Sequence, residues 1–306
     1  MKILKLFSGS TNKALSEKIA GRGQIRLGEL EIHKFPDGET RVRVENSVVD
    51  ENVWVLQSRS SDSPDSSYME LFFIVDGLKR SGAASVGCII PYLSYQRQDH
   101  VFRTGEAVSL EVIIKTLERI GADKIITFDL HSIKIPELFK IPITHLSAFP
   151  LFVKTIRDKF ENPSQCVLVS PDMGGIRRIK IYSEELSMSY VTIEKNRDLK
   201  TGEIKSLDLK GEVKKIAIII DDVISTGRTI VAAADLLLQK GAEEVFIFAT
   251  HPVFSGDFKS LFEKSKISEV FVTDSIYVPE DKHFPKLKIL SISEIISREI
   301  LKDESS

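Results

Sequence analysis

The chain alternates short apolar runs with amphipathic stretches. Val53–Leu56, Ser85–Ile90, Lys124–Phe128, Val167–Val169, Ile216–Ile220 and Val245–Ala249 predict strands. These runs are largely apolar instead of alternating with polar positions, which is the pattern of strands covered on both faces by helices. Between them, Leu110, Ile113, Ile114 and Leu117 fall at i, i+3, i+4 and i+7, and Ile230, Ala234, Leu237 and Leu238 at i, i+4, i+7 and i+8, so helices are expected there. Ser67 with Glu70 predicts a capping box opening the helix that carries Leu71, Val75 and Leu78, and Ser291 with Glu294 gives the same signal near the C-terminus. The expected fold class is α/β, with mainly parallel sheets flanked by helices.

A Gly-Ala pair separates helix from strand at Gly82-Ala83, Gly121-Ala122 and Gly241-Ala242. Each glycine is placed where a helix end needs a left-handed residue. The recurrence reads either as duplication of one βαβ plan or as ordinary reuse of a common turn. Pro142 and Pro150 punctuate the connection between the halves. Two domains are therefore expected, 1–145 and 146–306, with the last helix packing back on the first.

Composition narrows the classes. A chain of 306 residues exceeds what one hydrophobic core usually organises, and 42% hydrophobic with 28% charged residues describes a globular protein. Lys plus Arg number 42 against 44 Asp plus Glu, so the basic excess that drives nucleic-acid or anionic-membrane binding is missing. The two cysteines, Cys88 and Cys166, are too few for a disulfide framework and sit in apolar surroundings as expected core residues. No stretch approaches the roughly 18–20 apolar residues of a membrane helix, so a soluble, cytoplasmic protein is expected.

The sharpest chemical segment runs from Ile216 to Thr229. Five apolar residues end in Asp221 and Asp222, and then Ser225, Thr226, Gly227, Arg228 and Thr229 lead into a helix. Ligands bind at strand C-termini in open α/β sheets, and N–H groups at a helix start with nearby hydroxyls suit an anion. Adjacent carboxylates would repel that anion and suit sugar hydroxyls or a bridging Mg²⁺. This loop resembles the phosphoribosyl diphosphate loop of the type I phosphoribosyltransferase fold.

Further segments follow in order along the chain. They are Phe35-Pro36-Asp37-Gly38-Glu39, Tyr95-Gln96-Arg97-Gln98-Asp99, Asp129-Leu130-His131, Ser170-Pro171-Asp172-Met173-Gly174-Gly175 and Glu194-Lys195-Asn196-Arg197. With Thr250-His251-Pro252 and Thr273-Asp274-Ser275, they make the chain resemble the ribose-phosphate diphosphokinase (phosphoribosyl pyrophosphate synthetase) family over nearly its whole length.

The resemblance implies two tandem type I phosphoribosyltransferase-like domains. It also implies Mg²⁺-dependent transfer of the β,γ-diphosphoryl group of ATP to the 1-hydroxyl of ribose 5-phosphate, with release of AMP. By position, Phe35, Asp37, Glu39, Arg97 and Gln98 are ATP-binding. Asp221, Asp222 and Ser225 to Thr229 bind ribose 5-phosphate, and His131 and Asp172 are associated with Mg²⁺. Lys195, Arg197 and His131 are the catalytic set, with the stretch from Asn196 to Lys205 closing over the substrates. A homo-oligomer is implied, because residues such as Phe35 reach a neighbouring subunit's ATP site. Neither a nucleic acid nor a membrane is an expected partner.

Some positions depart from the pattern. Many bacterial and animal members carry Asp-Thr-Ala-Gly-Thr where this chain has Ser225-Thr226-Gly227-Arg228-Thr229, and His100 to Glu106 lacks the commoner basic run. Here the chain is more similar to archaeal-type members. The departures bear on phosphate activation, ADP inhibition and hexameric assembly, not on the core reaction. No Walker A pattern occurs, so ATP is expected to bind by another route.

Overall fold

The structure is a computed structural model that describes residues 3–60, 63–197 and 204–303, without the side chains of 195–197 and 204–207. The chain divides into two compact units: Met1–Ser147 with Ser275–Tyr277 and Ser291–Ser306, and Ala148–Asp274 with Val278–Leu290.

The first unit is built on strands β1 (Leu4–Ser8), β2 (Ile25–Gly28), β3 (Leu30–Lys34), β4 (Thr40–Val44), β5 (Asn52–Leu56), β6 (Ser85–Ile89), β7 (Lys124–Phe128) and β8 (Ile143–Leu146). Its helices are α1 (Lys13–Ala20), α2 (Pro64–Arg80) and α3 (Ser109–Ile120). Six strands form one parallel sheet in the order β2-β1-β5-β6-β7-β8, while β3 and β4 form a separate antiparallel hairpin. The hairpin packs through Leu30, Ile32, Val42 and Val44 against the core that α2 and α3 cover.

The second unit contains α4 (Phe149–Lys159), β9 (Cys166–Ser170), α5 (Ile176–Leu186), β10 (Tyr190–Arg197), β11 (Ile204–Lys210) and β12 (Ile216–Ile224). It continues with α6 (Arg228–Gln239), β13 (Glu244–Pro252), α7 (Phe258–Lys264), β14 (Glu269–Thr273) and β15 (Leu287–Leu290). Its seven-stranded sheet has the order β11-β10-β9-β12-β13-β14-β15, parallel throughout except for the antiparallel β10–β11 pair. The continuous apolar runs are explained by the two faces. Ala217 and Ile219 face the core shared with α6 and α7, whereas Ile218 and Ile220 face the aromatic core shared with α4 and α5. The last helix, α8 (Ser293–Asp303), belongs to the first unit, where it packs on α1 and Arg22 pairs with Glu294 at 3.3 Å.

All six expected strands are present, and three details differ from expectation. Helix α2 starts one turn before Ser67: Ser63 caps it by accepting from Ser66 N at 3.2 Å. Ser67 lies inside the helix, and Glu70 turns to Ser10 and the Gln57 amide, so the capping box does not form. At the C-terminus, Glu294 reaches Arg22 and Arg298 instead of closing a box with Ser291. Finally, β12 continues past the carboxylates, because β13 keeps pairing with it as far as Ile224 opposite Pro252.

The Gly-Ala turns share one geometry. Gly82, Gly121 and Gly241 have φ of 92°, 109° and 103°. The N–H of the following alanine returns to a carbonyl five residues back each time: Ala83 to Leu78 at 3.1 Å, Ala122 to Leu117 at 3.0 Å and Ala242 to Leu237 at 3.0 Å. A left-handed residue followed by that bond is the Schellman closure of a helix. Both cysteines are buried and free, and burial pushes both thiols up, which suits inert core residues.

Candidate active site

In the second unit, β12 delivers Asp221 and Asp222 to its C-terminal half, and the loop from Ser225 to Gly227 turns the chain into α6. Gly227 permits that turn in two ways. Its φ is 78°, and a Cβ there would lie 2.7 Å from the Phe262 ring, so only glycine fits. Ser225 Oγ lies 3.0 Å from Ser255 Oγ, and Ser255 N donates to Ser225 O at 3.1 Å, which fixes the loop against the end of β13. The N–H groups of the first turn of α6 have no partner within a helix, so this end presents donors to an anion.

The two carboxylates are held by a residue that sequence reasoning missed. Arg178, on α5, places Nη1 3.2 Å from Asp221 and Nη2 3.4 Å from Asp222. Asp221 also accepts from the Asp222 backbone N–H at 2.9 Å. Burial, together with the neighbouring Asp222 charge, pushes the Asp221 carboxyl well above the usual carboxylate range, with Arg178 opposing and Asp172 adding to the rise. Asp172 follows β9 and accepts from Gly175 N at 3.3 Å, closing the tight turn before α5. The Gly174-Gly175 turn and the Arg177-Arg178 pair at the start of α5 were the only sequence signal for this cation, and nothing in spacing alone linked them to Asp221.

This donor set bears on Mg²⁺. The ion takes oxygen ligands, binds through one or two carboxylates, and leaves the rest of its shell to water and substrate phosphate. Asp172, Asp221 and Asp222 are oxygen donors, and among the described residues no three His, Cys, Asp or Glu side chains are grouped as a metal cage. Carboxylate oxygens are the ligand chemistry Mg²⁺ takes, so Asp172, beside the Asp221–Asp222 pair, fits that ion.

In the first unit, the segment after β6 carries Arg97 and Gln98, both exposed. Gln98 N donates to Tyr95 O at 2.7 Å, and Tyr95 itself has φ of 68°. His131 follows β7 and is exposed, and its N–H donates to Gln96 Oε1 at 2.9 Å, so Gln96 ties the Arg97 segment to the His131 segment. Behind them, Leu130 N donates to His145 Nε2 at 2.9 Å, and Ser147 Oγ donates to Asp129 at 2.6 Å. Burial holds His145 below the usual imidazole range, which keeps that nitrogen free to accept.

Phe35, Asp37 and Glu39 lie at the tip of the β3–β4 hairpin, all exposed. Phe35 N donates to Glu39 O at 2.8 Å, and Glu39 N to the Asp37 carboxylate at 3.1 Å. The Phe35 ring packs edge-on to His33, with centroids 4.8 Å apart, and Arg41 stands 5.9 Å over it. Lys195 and Arg197 lie at the end of β10, where the pairing with β11 shifts register between Asn196 and Arg197. Their side chains, and residues 198–203 of the expected closing stretch, lie outside the described residues.

The comparisons with known proteins agree on one family. Residues 4–121 match the N-terminal domain of ribose phosphate pyrophosphokinase, and residues 183–305 match the phosphoribosyl synthetase-associated domain. The ribose-phosphate pyrophosphokinase of Fusobacterium nucleatum is 38% identical over 298 residues, covering 97% of this chain and 94% of that protein. The chain belongs to the ribose-phosphate pyrophosphokinase family. Ribose-phosphate pyrophosphokinase 1 of Streptococcus pneumoniae is also 38% identical, over 98% of this chain and 93% of its own length. The crystal structure of phosphoribosylpyrophosphate synthetase from Mycobacterium smegmatis superposes with a TM-score of 0.93 at 32% identity, covering 99% of both chains. The expected α/β architecture of two phosphoribosyltransferase-like domains is therefore the observed one. No described helix is long and apolar enough to cross a membrane.

Proposed function

We propose that this chain is a ribose-phosphate diphosphokinase, transferring the β,γ-diphosphoryl group of ATP to the 1-hydroxyl of ribose 5-phosphate and releasing AMP. The observation that carries the reading is the Arg178-bridged Asp221–Asp222 pair running into the Ser225–Thr229 loop at the start of α6. In this reading the loop's N–H groups and hydroxyls hold the 5-phosphate, and the carboxylates accept from the ribose hydroxyls. Arg178 aims the paired carboxylates and opposes the rise that burial imposes on Asp221. Arg228, in the first turn of α6, adds a cation beside the phosphate where many members have none. With Ser225, it makes this loop similar to archaeal-type members.

On the ATP side, Arg97 and Gln98 bind the nucleotide. Phe35, Asp37 and Glu39, presented on the hairpin tip, serve a neighbouring copy's ATP site in a homo-oligomer. Residues 1–145 then form the ATP-side domain and 146–306 the ribose 5-phosphate domain, with the last helix packing on the first, working in the cytoplasm on small molecules without nucleic acid or membrane. His131 and Asp172 are each candidate Mg²⁺ ligands by position, and the ion when bound would neutralise charge on the transferring phosphates. Attack on the β-phosphorus builds negative charge on its oxygens, and Lys195 and Arg197 supply the opposing charge.

The test is a nucleotide-resolved product assay. AMP should form only when ATP, ribose 5-phosphate and Mg²⁺ are present together; formation of ADP, or no AMP at any phosphate concentration, sinks the reading. Lys195→Ala should lower kcat about 100- to 1,000-fold while ribose 5-phosphate binding changes little. An equal loss of binding would give Lys195 a ground-state role instead.

A further inference from the structure

We infer that Gln96 is a positioning residue for the reaction, fixing His131 relative to Arg97 and Gln98 through a single buried side-chain amide. The inference rests on the proposed activity and deepens it, since nothing in the motif roles assigns Gln96 a part.

The geometry is that of one bridge between two separately anchored segments. On one side, Tyr68 Oη donates to Ser94 O at 3.0 Å, and Tyr95 Oη donates to Asp65. The Tyr95 backbone is held at φ 68°, a left-handed conformation that a bulky residue adopts only when its surroundings impose it. On the other, His145 Nε2 accepts from Leu130 N, Ser147 Oγ donates to Asp129, and Asp129 N donates to Leu146 O at 3.0 Å. Between these anchored segments, the Gln96 Oε1 bond to the His131 N–H spans 35 positions of sequence.

Gln96 is fully buried, and its Nε2 has no hydrogen-bond partner among the described residues. The His131 N–H needs an acceptor, so the amide orientation is fixed with the oxygen toward it. The other end is then a buried, unsatisfied donor, an arrangement that destabilises the fold. For packing alone, a methionine of similar size would fill the space without stranding a donor. What glutamine adds over methionine is the acceptor for His131, so its advantage lies in placement of that loop rather than in stability.

This separates a positioning role from a structural one, because the two predict opposite signs. In Gln96→Met, the thermal midpoint should stay equal or rise, since the orphan donor is gone and volume is conserved. The kcat for AMP formation should fall about 10- to 100-fold through misplacement of His131, with the KM for ATP within about threefold. Hydrogen exchange at the His131 amide should become faster in the same variant. Unchanged kcat, or unchanged exchange at His131, overturns the inference. So does loss of activity that only tracks a lowered midpoint in both Gln96→Met and Gln96→Ala. The wild-type assay distinguishes the two readings: an inactive wild type overturns the proposed activity, whereas an active wild type with a fully active Gln96→Met overturns only the role of Gln96.

Discussion

The Asp221–Thr229 region of the second unit and the Arg97–His131 region of the first are assembled differently. The first of these is one continuous stretch: a strand end, a glycine turn and a helix start bring its groups together with few helpers. Its carboxylates are largely buried and locked by Arg178. The other region takes residues from the ends of β6 and β7, more than thirty positions apart, and leaves Arg97, Gln98 and His131 exposed. A buried, ion-paired site is pre-shaped and carries an electrostatic penalty in the empty state. An exposed site carries little penalty and depends on its supports, such as Gln96 and His145, for its geometry. Substitutions in the second unit should therefore move stability and binding together, whereas those in the first should move activity alone.

The largest expected effect is at Arg178. Arg178→Met removes the cation from two close carboxylates, one of them buried, and should destabilise the fold by about 2–3 kcal/mol while weakening ribose 5-phosphate binding. Denaturant unfolding with isothermal titration checks both. A stable variant that still binds would break the contrast between the two regions.

Asp221→Asn should act in the opposite direction on stability. The folded-state pKa of Asp221 is raised, so the native state holds its proton more tightly than the unfolded chain does. Stability from that proton is present below the unfolded value and is lost as pH rises through the folded one. At neutral pH the asparagine variant should have a higher thermal midpoint than wild type, with the gain shrinking as pH falls toward the unfolded carboxylate range. Binding of ribose 5-phosphate should be lost at the same time. A midpoint difference that is independent of pH would show that the carboxyl is not strained by its burial.

The smallest effect on the fold is expected at the hairpin tip. Phe35→Ala removes an exposed ring and should change stability by less than about 0.5 kcal/mol. The KM for ATP should nevertheless rise, with kcat for the ribose 5-phosphate reaction little changed at saturation. An unchanged KM would sharpen the contrast differently, by removing the hairpin from the ATP site.

Legibility followed contiguity. The six predicted strands, the two helices with clear apolar period and the three Gly-Ala turns could be read locally, because burial on both sheet faces and helix closure leave their marks on neighbouring positions. The Ser67 capping box misled because Glu70 has a stronger use, accepting from Ser10 and Gln57, which are distant in sequence. Arg178 and Gln96 were invisible for a related reason. An arginine on a helix and a glutamine in a polar loop acquire meaning only when the sheet sets them beside Asp221 and His131.

The sequence by itself determined the alternation of strands and helices, the aspartate pair entering the Ser225–Thr229 loop and the family, since each is written in residues close along the chain. Tertiary structure alone decided which cation holds the carboxylates and which amide holds His131. Those outcomes depend on which strand lies next to which, and side chains far apart in sequence acquire their partners only once the sheets have formed.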